Sequence, residues 1–177
     1  LASMGGAGVF VTAVREALLA GECDVVVHSL KDLPTTPHDE LVIGAMPKRA
    51  DARDAAVVGG GVPLAELAPG ARVGTGSPRR RAQLRHRFPE LERLGRDDAI
   101  TEHLGIDGWP TAPGQGALAV EVRRGTRGPL ASALQSLDHG PTRTAVDAER
   151  AVLRLLEAGC SAPLGAHAFL DDGMLFL

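Results

Sequence analysis

A chain of 177 residues is long enough to bury a hydrophobic core and could form one domain or two small ones. Its hydrophobic content of 44% and charged content of 23% are typical of globular proteins. The 3% of aromatic residues and the net charge of −3 argue against nucleic acid as a partner. No apolar run approaches the roughly 20 residues of a membrane span, so we expect no membrane contact.

The cysteines and histidines indicate a reducing compartment and no metal site. Cys23 and Cys160 are far apart and form no CxxC pair, which is typical of a cytoplasmic protein and excludes a zinc ribbon. None of the six histidines stands at metal-ligand spacing from another, so we expect no metal. The first ten residues lack the basic and apolar regions of a signal peptide, so we expect none there.

The amino-terminal half is expected to alternate helices with strands. Apolar residues recur at helical spacing over Gly8–Leu19, and Gly21 is placed to end that helix. Further along, the sequence predicts strands at Asp24–Val27, Leu41–Met46 and Val57–Val58, helical turns at Pro63–Leu67, and a helix that begins after its cap Ser77 and ends near Arg87.

The carboxyl-terminal half continues this alternation. The sequence predicts helices at Asp97–Leu104, Pro129–Leu137 and Thr144–Glu157, a strand at Ala117–Val122, and a hairpin of Leu164–Phe169 with Met174–Leu177. In the helix at 144–157, a buried face is predicted along Ala148, Val152, Leu155 and Leu156. The alternation indicates an α/β fold with more than one unit.

The stretch DVVVHSLKDLPT, residues 24–35, is the candidate reactive segment. Three valines predict a buried strand, and a polar cluster follows at once, as at the strand ends of open α/β sheets. Lys31 and Asp32 can face one ligand only if the strand has ended before them, which Pro34 favours. The alternative is a surface ion pair of little consequence. His28 is interpreted as a buried structural residue.

A second candidate site is the turn Gly74–Ser77 and the helix that follows it. A helix amino terminus attracts anions, and the guanidinium groups of Arg79 and Arg80 suit carboxylates. Thr75 and Ser77 add hydroxyl groups. The alternative is an ordinary capped helix with a solvated basic face.

Two further residues lie in turns rich in Gly and Pro. Cys160, in EAGCSAPLG, is either a small buried residue or an accessible nucleophile or attachment point. Gln115, in PGQGA, lies where hinge residues are often found.

Four motifs in this order resemble those of the hydroxymethylbilane synthase family, also called porphobilinogen deaminases. They are DVVVHSLKDLPT, GTGSPRRRAQL, APGQGALAVEVR and AERAVLRLLEAGCSAPLGAHA. The resemblance implies a transferase of tetrapyrrole and haem biosynthesis. Such enzymes join four porphobilinogen molecules head to tail into hydroxymethylbilane on a dipyrromethane primer.

The resemblance also implies a role for individual residues. Asp32 matches the catalytic aspartate, and Cys160 matches the cysteine that carries the dipyrromethane cofactor. The residues that match cofactor-binding positions are Ser29, Lys31, Thr75, Ser77, Arg79, Arg80 and Arg150. Those expected to bind the substrate porphobilinogen are Arg79, Arg80 and Gln115.

The fold implied by the resemblance has three domains: two α/β domains similar to periplasmic binding proteins and a small α+β carboxyl-terminal domain. We expect domain 1 at residues 1–48 and 117–138, domain 2 at 53–111 and domain 3 at 142–177, each incomplete, in a monomer. Family segments are expected to be absent at the amino terminus, near 91–93 and at the carboxyl terminus. The alternative function is a catalytically impaired protein that binds small carboxylates.

Overall fold

The computed structural model describes residues 6–89, 102–158 and 162–177. The chain divides into two units, which are described separately. Unit 1 comprises Leu1–Ala52, Pro113–Cys160 and His167–Leu177, and unit 2 comprises Arg53–Ala112 and Ser161–Ala166. Helices and strands are mixed, in agreement with the predicted α/β class, while the three predicted domain boundaries stay a prediction.

Apart from one helix predicted in unit 2, the described elements follow each other in the order expected from the sequence, with shifts in their bounds. The helices are α1 (Gly6–Ala20), α2 (Pro78–Arg87), α3 (Pro129–Leu137) and α4 (Gly140–Leu155). The strands are β1 (Val26–Ser29), β2 (Leu41–Ala45), β3 (Ala55–Ala56), β4 (Glu102–His103), β5 (Leu118–Arg123), β6 (Phe169–Asp171) and β7 (Met174–Phe176). Short 3₁₀ turns lie at Leu30–Asp32 and Leu64–Glu66.

The sheet of unit 1 has the order β1-β5-β2, with β5 antiparallel to both neighbours. Val27 pairs with Val120, and Leu41 pairs with Arg123. A register shift in β2 occurs between Ile43 and Ala45. Since β5 is central, its Ala119, Val120, Glu121 and Val122 are all buried, so it reads as an almost continuous apolar run.

Helix α1 packs against this sheet through only part of its apolar residues. Val11 and Leu18 are buried, whereas Phe10 is 69% exposed. Val11 packs with Leu30, Met46 and Val146 in one core cluster. The turn that carries the candidate reactive residues therefore rests on the same core as the helices.

The predicted buried face of α4 is wrong at its carboxyl-terminal end, because Leu155 is 82% and Leu156 61% exposed. The buried side chains are instead Thr142, Ala145, Val146, Glu149 and Leu153. Glu149 in this set is fully buried and accepts hydrogen bonds from distant residues. A hydrophobic pattern could not mark it, because its burial depends on ion pairing rather than on apolarity.

Unit 2 contains one predicted element that the structure contradicts. Glu102 and His103, expected at the end of a helix over Asp97–Leu104, form β4 and pair with Ala56 and Ala55. The first five residues of that expected helix lie outside the described residues. The strand expected at Val57–Val58 lies two residues earlier, because Ala55 and Ala56 make the pairing with β4.

A carboxyl-terminal hairpin is confirmed, but its first strand lies later than predicted, since β6 shares only Phe169 with the expected strand Leu164–Phe169. β6 and β7 pair antiparallel, with Asp171 opposite Met174. Asp172 and Gly173 both have positive φ at the turn, as Asp-Gly hairpin turns require. Among the described residues, no helix has the length and apolar character to cross a membrane.

Candidate active site

The candidate reactive segment in unit 1 ends its strand before the charged residues, as predicted. The expectation that its valines form a buried strand is wrong, because Val25 is 37% and Val27 56% exposed. β1 stops at Ser29, and Leu30–Asp32 form a 3₁₀ turn whose Leu30 is fully buried. Lys31 and Asp32 are both half-buried. Because they follow the strand, the rule that neighbouring strand residues face opposite sides of a sheet does not separate them.

Arg150 on α4 fixes this turn through its backbone. Its Nη1 donates to the carbonyl oxygens of Leu33 at 2.9 Å and Leu30 at 3.2 Å, and its Nη2 donates to Pro34 O at 2.6 Å. Burial lowers the pKa of the Arg150 guanidinium, although Asp147 nearby opposes that shift. The structure thus gives Arg150 a contact that its resemblance did not imply, and its role toward a cofactor stays a prediction.

The carboxylate of Asp32 has no hydrogen-bond or ion-pair partner within residues 6–89, 102–158 and 162–177. Its turn is held by Leu30, whose N–H donates to Ala117 O at 2.9 Å, and by Leu33, whose N–H donates to Leu30 O at 3.1 Å. A carboxylate on a fixed turn, with its oxygens unused, is available to stabilise a cation or to accept a proton.

A cavity of about 320 Å³ in unit 1 lies beside this turn. Its lining comprises Ser29, Lys31, Lys48, Ala50, Gly114, Gly116, Ala117 and Leu118. Two of the predicted residues, Ser29 and Lys31, are therefore brought to one cavity. Lys48 lines it as well, and sequence reasoning missed it because Lys48 belongs to none of the four motifs.

The glycines of the PGQGA motif allow close backbone approach at this cavity. Gly114 has φ 76° and Gly116 has φ 79°. A Cβ at Gly116 would come within 2.9 Å of Ala50 O and 3.0 Å of Asp51 O. Gly116 therefore cannot be replaced by a residue with a side chain without a shift of backbone.

Gln115, between those glycines, is directed into the protein. Its side chain is buried, and its Nε2 donates to Ala52 O at 2.8 Å. Its own carbonyl accepts a 2.8 Å hydrogen bond from Arg49 Nε. These contacts make Gln115 part of the frame of the cavity, and its predicted contact with substrate stays a prediction.

Glu149 connects three segments of unit 1 and was not identified from the sequence. It accepts a bidentate pair from Arg49 at 2.6 and 3.0 Å. The N–H groups of Gly114 and Ala168 donate to it at 2.6 and 2.7 Å. His167 Nδ1 lies 3.4 Å from the same carboxylate, and burial, then Arg49, lowers the pKa of this histidine.

A second buried network confirms the interpretation of His28 as a structural residue. His28 is 5% exposed, and its Nε2 lies 3.2 Å from Glu121 Oε2. Arg15 of α1 donates to both oxygens of Glu121, at 2.9 and 2.7 Å. The network joins α1 to β1 and β5.

In unit 2, the predicted helix start is confirmed. Ser77 caps α2 by accepting a hydrogen bond from Arg80 N, and Pro78 occupies the first turn. Thr75 Oγ1 accepts from Ser77 N at 3.2 Å. Both hydroxyl oxygens thus stabilise the turn, although each hydroxyl keeps a proton to donate.

Arg79 and Arg80 both bind Asp54, a buried residue that sequence reasoning missed. Arg79 Nη2 lies 2.7 Å from Asp54 Oδ2, and Arg80 donates to Oδ1 at 2.6 and 3.0 Å. Trp109 Nε1 also donates to Asp54, at 2.9 Å. Arg79 is 5% exposed and has further bonds to Gln83 and Pro110, so most of its donors are used inside unit 2.

Arg80 keeps more of its surface available, since its side chain is 40% exposed. It lines a cavity of about 540 Å³ together with Gly74, Thr75, Gly76 and Trp109. Of the predicted anion-binding residues of unit 2, Thr75 and Arg80 line this cavity, whereas Ser77 and Arg79 do not belong to its lining.

Cys160, the expected attachment point, lies outside the described residues. Cys23 is described, half-buried and without a disulfide.

Comparison with known proteins identifies the family. Residues 1–92 match the model of the porphobilinogen deaminase dipyrromethane cofactor binding domain, and residues 143–177 match the porphobilinogen deaminase carboxyl-terminal domain. A porphobilinogen deaminase of Leifsonia xyli subsp. xyli is 52% identical over all of this chain and 64% of its own length. One from Thermobifida fusca is 46% identical, over 95% of this chain and 62% of its own length.

The chain thus spans a little under two thirds of these relatives. The alignment with the Leifsonia xyli protein runs over 211 positions, more than the 177 residues of this chain, so that relative has residues inside the matched region with no counterpart here. The family model covers more than half of the sequence, and the chain belongs to the porphobilinogen deaminase family.

Proposed function

We propose that this chain acts as a hydroxymethylbilane synthase in tetrapyrrole and haem biosynthesis. The reaction is the stepwise, deaminative, head-to-tail condensation of four porphobilinogen molecules into a linear tetrapyrrole. The observation that carries the proposal is the turn Leu30–Asp32 in a member of this family. It presents a lysine and a carboxylate without a partner among the described residues directly after β1, and Arg150 fixes it.

Asp32 is the proposed catalytic residue. Loss of ammonia from porphobilinogen leaves a cationic pyrrole, and a carboxylate held beside it lowers the free energy of that cation. The same carboxylate can accept the proton that a pyrrole ring releases when the new carbon–carbon bond forms. The fixed turn supports both roles, because the carboxylate needs no reorganisation when charge develops.

We propose that the cationic side chains of both units bind the carboxylates of porphobilinogen and of the cofactor. Ser29 and Lys31 in unit 1 would bind them at the 320 Å³ cavity. The other residues proposed to bind these carboxylates are Thr75, Ser77, Arg79, Arg80 and Gln115. Because the side chain of Arg80 is partly exposed, Arg80 is the best placed of them for direct contact. Arg79 would act mainly by holding Asp54 and the start of α2.

The cofactor implied by the family is dipyrromethane, attached to Cys160. The donors around the unit 1 cavity fit such a group, since ammonium and hydroxyl groups suit its acetate and propionate side chains. When bound, the cofactor supplies the pyrrole carbon to which the first porphobilinogen is joined. The chain's own contribution is to bind those carboxylates, to hold the turn of Asp32 and to provide the thiol.

We also propose the finer features that the sequence predicted: three domains, a monomer and a cytoplasmic location. Two separate family models, at residues 1–92 and 143–177, support a division of the chain into domains. Two cysteines without CxxC spacing favour a reducing compartment. Size-exclusion chromatography with light scattering would test the monomer.

The experiment for the activity combines turnover with intact mass. Purified protein incubated with porphobilinogen should yield uroporphyrin after acid oxidation, and its mass should exceed that of the bare chain by a two-pyrrole group. Cys160→Ser should lose both signals, whereas Cys23→Ser, the matched control, should keep them. An unmodified Cys160 together with no turnover would overturn the proposal. Calorimetry would then test the carboxylate-binding alternative, which requires binding to survive Asp32→Asn and Cys160→Ser.

A further inference from the structure

Both lysines of this chain line the same cavity. The sequence has 17 arginines but only two lysines, Lys31 and Lys48, which are separated by 16 intervening residues. Both belong to the lining of the 320 Å³ cavity in unit 1, and that lining contains no Asp or Glu. The lining of this cavity therefore contains two lysines and no acidic residue.

The backbone on both sides of Lys48 is fixed. Met46 N donates to Asp138 Oδ1 at 2.7 Å, Arg49 N donates to Thr142 Oγ1 at 3.0 Å, and Ala50 N donates to Gly116 O at 3.0 Å. The adjacent Arg49 side chain is held by Glu149. These bonds keep the Cα of Lys48 at the cavity.

The side chain of Lys48, in contrast, takes no part in the hydrogen bonds that fix this backbone. Lys48 is exposed and Lys31 is half-buried. Neither ammonium group has a hydrogen-bond or ion-pair partner within the described ranges. An ammonium group is a compact charge with three donors, well suited to a carboxylate. A ligand with two carboxylates can satisfy both lysines at once.

We propose that Lys48 is a second carboxylate-binding residue of this site and that Lys31 and Lys48 together select a dicarboxylate. The identification of that ligand as porphobilinogen or its condensed pyrroles rests on the proposed function. The selection of a dicarboxylate does not rest on the proposed function, because it follows from the two lysines in the lining of the cavity.

The scarcity of lysine makes the test direct. Reductive dimethylation with ¹³C-formaldehyde retains the positive charge and labels only these two side chains and the α-amino group. Lys31→Arg and Lys48→Arg assign the two lysine signals in a ¹H–¹³C NMR spectrum. Glutarate, a plain dicarboxylate, and porphobilinogen should each shift both signals with the same apparent dissociation constant.

Affinity measurements on unlabelled variants complete the test. Lys48→Met should weaken glutarate binding about tenfold, as expected for loss of one hydrogen-bonded charge. Lys48→Arg should stay within a few-fold of the original chain. Arg127→Met removes an exposed charge elsewhere in unit 1 and should leave binding unchanged.

The outcomes separate this inference from the proposed function. A Lys48 signal that stays still while Lys31 responds, or no response from either, overturns the inference even if turnover is present. A Lys48→Met variant that binds as well as Arg127→Met also overturns it. Shifts of both signals with glutarate in a protein without turnover would support the inference and refute the proposed function.

Discussion

Arg150 donates a 2.6 Å hydrogen bond to the carbonyl oxygen of Pro34, a residue 116 positions earlier in the chain. The same guanidinium binds the carbonyls of Leu30 and Leu33. Three bonds from one planar group fix the backbone on both sides of Lys31 and Asp32. The geometry of the candidate catalytic turn therefore depends on a helix that contributes no described side chain to the cavity beside it.

Replacement of Arg150 should affect catalysis more than folding. We expect Arg150→Met to lower kcat by about tenfold to hundredfold, because small displacements of a catalytic group have effects of that size. Arg150→Lys should recover part of the loss, since an ammonium can still donate to one or two of the carbonyls. Turnover of porphobilinogen and the thermal midpoint are the measurements. Arg154→Met, an exposed arginine on α4, is the control, and equal losses in both variants would contradict the expectation.

Asp32→Asn should reduce turnover on the order of hundredfold or more, because it removes the charge that stabilises a cationic pyrrole. Its stability should be unchanged, since this carboxylate has no hydrogen-bond partner among the described residues. Asp39→Asn alters an exposed carboxylate in the loop that follows and should leave turnover intact. Near-normal turnover of Asp32→Asn would refute the assignment.

Glu149→Gln should be strongly destabilising. It leaves the Arg49 guanidinium without its buried partner, a change that typically costs about 3–5 kcal/mol. Asp147→Asn on the same helix is the control, because the Asp147 carboxylate is exposed and has no hydrogen-bond partner among the described residues. Urea unfolding would measure the difference. The double variant Arg49→Met/Glu149→Met should be more stable than Glu149→Gln, because no unpaired charge stays buried. If it is not, the main loss comes from the hydrogen bonds that Gly114 N and Ala168 N donate to Glu149.

Local signals predicted well those parts of the fold that depend on neighbouring residues. Ser77 and Pro78 mark the start of α2, Pro129 marks that of α3, and Asp172-Gly173 marks the hairpin turn. Each of these signals acts within about one turn of chain, through capping bonds or allowed φ values. The sequence alone could therefore place these boundaries.

Features that depend on distant partners could not be predicted in this way. Glu149 is buried because it pairs with Arg49, which lies 100 positions away. A charged residue on the buried face of α4 could therefore not be predicted from the hydrophobic pattern. Asp54 is buried because Arg79, Arg80 and Trp109 converge on it. Within the candidate site, Lys31 could be assigned from a motif, but Lys48 is brought to the cavity by tertiary bonds alone.

Gly116→Ala should destabilise unit 1 by about 2–3 kcal/mol. Part of the cost is the left-handed backbone at φ 79°, and part is the approach of the new Cβ to two backbone oxygens. Gly125→Ala is the matched control, because its φ is 84° but nothing lies within 4 Å of its Cβ. That variant should lose only about 1 kcal/mol in urea unfolding. Equal losses of stability in the two variants would mean that the backbone moves away from the new Cβ at position 116 without a measurable loss of free energy.

His167 should make stability depend on pH near neutrality. Burial, followed by the charge of Arg49, lowers the pKa of His167 below its usual value, and Glu149 only partly opposes this. Its Nδ1 is buried without a hydrogen-bond partner among the described residues. In the unfolded chain this histidine takes up a proton below about pH 6.5, whereas the folded chain does not until lower pH.

The free energy of unfolding of the original chain should therefore fall as the pH drops through about 6.5, and the contribution of His167 should be constant above it. His167→Asn cannot take up that proton and should show a shallower fall over the same interval. Urea unfolding at a series of pH values from about 7.5 down to 5.5 measures the two slopes. Parallel curves for the two proteins would contradict the lowered pKa. A steeper fall in the variant would mean that protonated His167 is stabilised by Glu149 in the folded state.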